Sequence, residues 1–155
     1  MAKMSVLYFF LQGIPEGMGV VAIALAVARV QLRWRYIFLC ALLLAVVNYF
    51  IRSLPVTFGF HLPVAILLLF ILMVRFTNLS PSRTIIAVFS SFVIIALLEF
   101  VVSSTFFAYS QMDAQQVIAN EPLWAAVGIF QAAILIIIAL VISHFHKPNE
   151  GVWKQ

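Results

Sequence analysis

Five stretches of this chain run on with almost no charge: roughly Met4–Ala28, Tyr36–Leu54, 58–74, Thr84–Phe107 and Leu123–His144. A helix needs about 20 apolar residues, at about 1.5 Å of rise each, to cross the ~30 Å hydrocarbon core of a bilayer. Five such runs occupy most of a 155-residue chain. Charged residues make up only 9% of it, against about 25% in a soluble domain. Too few charges remain to cover a water-facing surface, so lipid is the expected solvent. Strands are not expected, because the runs are continuous and a membrane barrel needs alternation. The expectation is an all-α polytopic helix bundle of about five spans, forming one domain over 1–155. The third run has an uncertain start, between Val56 and His61, before it ends at Val74.

The loops predict orientation. Arg29, Arg33, Arg35, Arg75, Arg83, Lys147 and Lys154 fall on one side of the predicted topology, seven of the nine Lys and Arg. Lys3 and Arg52 fall on the other, with the acidic Asp113 and Glu121. Positive charge stays inside, so the expected topology is N-terminus outside and C-terminus cytoplasmic, in a cell inner (cytoplasmic) membrane. The net charge of +4 is then a topology signal and implies no nucleic-acid partner. The arginines follow the first run, so a cleavable signal peptide is not expected. No soluble domain and no internal repeat is expected either. The lone Cys40, inside an apolar run, excludes an internal disulfide and a thiolate metal cluster.

Ionisable groups inside spans are expensive and mark function by default. Three stand out: Glu16, Arg52 and Glu99. From helical rise, Glu16 is expected near the midplane and Glu99 and Arg52 in the outer third. His61 follows on the outer side. Gln12 and Glu16, Asn48 and Arg52, and Glu99 and Ser103 are each four residues apart. Residues at that spacing share a helix face, so three helices carry polar stripes and Gln131 offers a fourth. Arg52 is expected to pair with Glu99, their depths being equal, and the deeper Glu16 either pairs with Arg52 as well or is protonated, since burial raises a carboxyl pKa. The alternative for the neutral members, Gln12, Asn48, Ser103 and Gln131, is interhelical glue.

Two segments add shape. In Gly13-Ile14-Pro15-Glu16-Gly17 the glycines permit close helix approach, and Pro15 predicts a kink that frees a carbonyl near Glu16. That suits an ion, a proton or an amine, or else a packing kink. The stretch from Arg52 to Pro63 is too apolar for an exposed loop and too rich in Pro and Gly for a helix. It reads either as a cap over Arg52, with His61 titrating near neutral pH, or as a hydrophobic turn at the interface. Trp34, Trp124 and Trp153 fit interfacial belts. His144 and His146 lack partners for a metal site, and no catalytic or phosphate-binding motif is present. No enzyme activity, metal or cofactor is expected.

With Gly13-Ile14-Pro15-Glu16 and then Arg52-Ser53-Leu54-Pro55 and Phe58-Gly59-Phe60-His61, the chain resembles a bacterial, mainly Gram-positive, type of membrane sensor segment. Such segments occur in N-terminal parts of sensor histidine kinases and in small stand-alone proteins. The resemblance runs to about Arg75. It implies sensing or structurally essential roles for Glu16, Arg52 and His61. The phosphoacceptor and ATP-binding domains of a kinase have no counterpart here. The leading expectation is a non-enzymatic membrane sensor or regulatory subunit. An outer-half pocket of Glu16, Arg52, His61 and Glu99 would take a small ligand or a proton and act through a membrane or cytoplasmic partner, or a homo-oligomer. The alternatives are an oligomeric proton- or cation-coupled transporter or channel subunit, and a scaffold or assembly subunit.

Overall fold

The computed structural model describes residues 5–57 and 59–155. Met4 at the start of the first expected span, Lys3, and Phe58 at the start of the third lie outside the described residues. Among those described there are six helices: α1 Val6–Val27, α2 Trp34–Ser53, α3 His61–Phe76, α4 Pro81–Ser110, α5 Ala114–Ala119 and α6 Glu121–Phe145. The chain is all-α, as expected. Four helices, α1, α2, α4 and α6, are long and apolar enough to cross a membrane, while α3 is a shorter apolar helix of 16 residues. The stretch around Pro55 and Gly59 keeps α3 short, because Pro disfavours helix in the residue before it and Gly59 takes a left-handed φ of 94°. The short helix α5, in the loop after α4, carries no long apolar run and was not expected.

Local chemistry places the other helix ends. Pro81 sits in the first turn of α4, where its missing N–H is no loss. The Asn120 side chain accepts from the Leu123 N–H at 3.3 Å and caps α6. α1 ends in a reversal at Arg29, φ 59°. There the Val30 N–H donates to the Leu25 carbonyl at 2.9 Å, and the Arg29 N–H to that of Ala26 at 3.1 Å. This is a Schellman closure, with the buried Val30 as its apolar lock.

α1 is the hub. It packs most extensively on α6, then on α2 and α4, while α3 bridges α2 and α4. A Cβ on Gly17 would lie 3.2 Å from the Ala41 Cβ, and one on Gly13 would lie 3.9 Å from that of Ala45. Position number falls on α2 as it rises on α1, so the two helices are antiparallel. On α6 it rises with α1: Gln12 meets Gly128 and Gly19 meets Leu135. α1 and α6 are therefore parallel neighbours. The bundle end carrying the start of α1 is called the upper end below.

The core lies mostly in the lower half. Every residue from Gly19 to Ala26 is buried, packed with Ile37, Leu69, Val88 and Leu135. The upper half of α1 is only partly covered. The C-terminal segment closes the lower end. Thr77 and Trp153 form an antiparallel bridge. The Asn78 N–H donates to the Val152 carbonyl at 2.7 Å, and the Lys154 N–H to that of Phe76 at 3.0 Å. Trp153 stacks on Tyr36 at 4.9 Å, lies under the Arg33 guanidinium and donates its indole N–H to the Gln31 carbonyl at 2.9 Å. Only 8% exposed, Trp153 is a core side chain tying the α1–α2 turn to the α3–α4 turn. Trp153→Ala should cost about 3–5 kcal/mol and Trp153→Phe about 1 kcal/mol, read from unfolding in detergent micelles. A Trp153→Ala variant as stable as the parent would contradict this packing.

Candidate functional site

The polar stripes of three helices meet in the upper half of the bundle. Gln12 and Glu16 of α1, Glu99 and Ser103 of α4, and Trp124, Val127, Gly128 and Gln131 of α6 line one cavity of about 20 Å3. The four-residue spacings bring this about: Gln12 with Glu16, and Glu99 with Ser103, each face the same side of their helix. Trp124, Gly128 and Gln131 are likewise successive positions on one face of α6. Room of this size holds one water molecule. It falls far below the roughly 300 Å3 at which sites for organic ligands begin.

Gly128 makes the cavity possible. A Cβ there would collide with Cγ and Cδ of Gln12 and lie 2.5 Å from its Nε2. The Gln12 side chain thus occupies the space that a side chain on Gly128 would need. Its Oε1 is wholly buried and has no hydrogen-bond partner. Buried acceptors are nearly always paired, so this oxygen is an unspent acceptor beside the cavity. Gln131, 6% exposed, is the most buried polar residue of the lining. Glu16 is half-buried and Glu99 exposed, so the lining grades outward from α1 to the α4 surface.

The other expected members are not part of the lining. Arg52, Asn48 and His61 do not line the cavity. The expected Arg52–Glu99 pair is absent: among the described residues no ion pair joins Arg52 to either carboxylate, and its exposed guanidinium lies 5.5 Å above the Phe9 ring. α2 and α4 each pack on α1 and on α3 and not extensively on each other, so equal depth does not bring these residues together. Asn48 Oδ1 is a second buried acceptor without a partner. His61 is half-buried at the start of α3. Leu54, Val56 and Phe60 of the α2–α3 turn are 60%, 43% and 53% exposed, so that turn does not cap the site. Gly13 and Gly17 face α2, and Pro15 lies within an unbroken helix. Among the described residues there is no group of His, Cys, Asp and Glu that holds a metal.

Trp124, Val127 and Gly128 were not foreseen. The signal for Gly128 was its position between Trp124 and Gln131, four and three residues away on one helix face. A larger concavity at the α5–α6 junction, between Gln116 and Pro122, is an open surface dish that shares no lining residue with this cluster.

Comparison of the chain with protein-family models, with curated proteins and with solved structures found no match. The chemistry must therefore be argued from the cavity. Gly128→Ala should destabilise the bundle by about 1–3 kcal/mol. Adding Gln12→Ala should recover a large part of that loss. A double-mutant cycle reads the coupling, and strictly additive effects would contradict the Gln12–Gly128 seat.

Proposed function

We propose that the protein is a non-enzymatic membrane sensor or regulatory subunit that crosses the bilayer five times, with its N-terminus outside and its C-terminus in the cytoplasm. The four long apolar helices support four of the crossings. α3, about 24 Å long at helical rise, serves as the fifth, with the exposed apolar residues Leu54, Val56 and Phe60 continuing into the interface. Modest mismatch of this kind is absorbed by local thinning of the bilayer. The lower end carries exposed Arg29, Arg33, Arg35, Arg75, Arg83, Lys147 and Lys154, which supports a cytoplasmic lower face. The likeness of the region up to Arg75 to sensory membrane segments agrees.

The observation that carries the sensor reading is one-sidedness. The polar cavity lies in the outer half of the bundle, with Glu99 exposed on the flank of α4. Beneath it the helix core is apolar and closed from Gly19 to Ala26. A proton or ion reaching Glu16 from outside finds no polar route onward. Such a site equilibrates with the exterior and reports on it, whereas a pore needs a continuous lining. The output passes through α1, which bears Glu16 and also contacts α2, α4 and α6. It reaches the inner turns, where the partner acts.

Two measurements test this. In a Cys40→Ala background, a membrane-impermeant maleimide applied to intact cells should label Ser110→Cys and spare Asn78→Cys. The reverse pattern would overturn the topology. Proteoliposomes containing only this protein should show no proton or sodium flux under an imposed gradient. Robust flux, abolished by Glu16→Gln, would overturn the sensor reading in favour of transport.

A further inference from the structure

The reading of this cavity as a sensory site raises the chemical class of what it takes. Its polar groups are rich in oxygen: two carboxylates, two carboxamides and the Ser103 hydroxyl. Among the described residues no cationic side chain lines it. Arg52 is exposed at the upper end of α2 over Phe9, and its charge bears on Glu16 from outside the lining. On α3 the titratable group toward this end is His61, which is outside the lining, and α6 contributes only Trp124 and Gln131 among its polar residues. Two ionised carboxylates facing one small cavity within a bundle in lipid need a counter-charge, because charge in such surroundings is tolerated only when compensated. Independently, the wholly buried Gln12 Oε1 has no donor, although it belongs to a side chain lining that cavity. Gln131 adds a carboxamide with 6% exposure.

Size narrows the choice. About 20 Å3 admits one water-sized species. Organic amines are too large. A hard cation with oxygen ligands fits the donor set. A divalent ion such as calcium is held by six to eight oxygens that enclose it, whereas Glu99, one of the two carboxylates of this lining, is exposed at its edge.

We propose that the cavity is a dead-end site for one water-sized monovalent cation, hydronium or sodium, that reaches Glu16 from the outer face past Glu99. Glu16 and Glu99 supply the charge, and the Gln12, Gln131 and Ser103 oxygens complete the shell. Occupancy draws α4 toward the α1–α6 pair. This inference rests on the cavity being the functional locus of the sensor proposed above.

Trp124 lies in the lining and provides the readout. The full-length protein in nanodiscs is titrated by tryptophan fluorescence in two arms. In one, pH is varied in choline chloride without sodium. In the other, sodium chloride replaces choline chloride at fixed pH. An emission change in the pH arm alone identifies hydronium. A saturable sodium-dependent change that weakens as pH falls identifies sodium. In either case the change should be lost in Glu16→Gln and in Glu99→Gln. Exposed Glu99 is the safer variant should Glu16→Gln fold poorly. Flat emission in both arms would overturn the site, as would titrations in folded Glu99→Gln that match the parent. Flux in proteoliposomes together with a positive titration would remove the sensor reading and the dead end, and leave only a cation site on a transport route. Flat titrations without flux would do the opposite.

Discussion

The close parallel approach of α1 and α6 is the contact on which the rest of the structure depends. Glycine makes it possible from both sides. Gly19 admits Leu135, whose Cβ would lie 2.6 Å from a Cβ at that position, and Gly128 admits Gln12. In lipid there is little hydrophobic drive to bring helices together, so van der Waals fit between small and large residues does that work. The two seats are seven residues apart on each helix, one heptad. They differ in chemistry. The lower seat holds an aliphatic side chain and is continuous with the buried core. The upper one holds a carboxamide and borders the polar cavity.

That division runs through the molecule. Below the midpoint, small residues on α1 let α2 and α6 come near, and the core closes without a gap of the right chemistry for an ion. The C-terminal segment reinforces this closure by joining two lower turns through Trp153. Those turns carry several arginines, whose mutual repulsion the strap's hydrogen bonds oppose. Above the midpoint α1 is less covered, and its polar face meets those of α4 and α6. A change of charge there acts on the helix that holds the whole bundle together.

How much of this was legible in the sequence follows from what periodicity encodes. Runs of apolar residues mark helices, and the helices are where they were expected, within a few residues at their ends. A four-residue spacing fixes which side chains share a face, and so Gln12 with Glu16 and Glu99 with Ser103 were correctly grouped. It says nothing of which helices are neighbours. Depth alone joined Arg52 to Glu99, yet α2 and α4 are not paired in the bundle. Arg52 instead uses the Phe9 face, a contact no spacing announces. Gly13 and Gly17 were recognised as packing positions, while Gly128, the glycine that shapes the cavity, was passed over although Gly128 and Ala132 have the same small-xxx-small spacing. The strap was invisible for a related reason: its partners are backbone carbonyls and amides of distant turns, which carry no sequence signature.

Parallel packing of α1 on α6 can be measured directly by disulfide trapping in a Cys40→Ala background. Gly19→Cys combined with Leu135→Cys brings two thiols within reach of a bond, whose Cβ atoms usually stand about 3.8 Å apart. Oxidation is expected to link that pair within one chain. It should leave Gly19→Cys combined with Gly128→Cys unlinked, since those positions are about 10 Å apart along the axis at helical rise. Preferential linkage of the second pair would mean that the helices run antiparallel, and the cavity between α1, α4 and α6 would not exist as described.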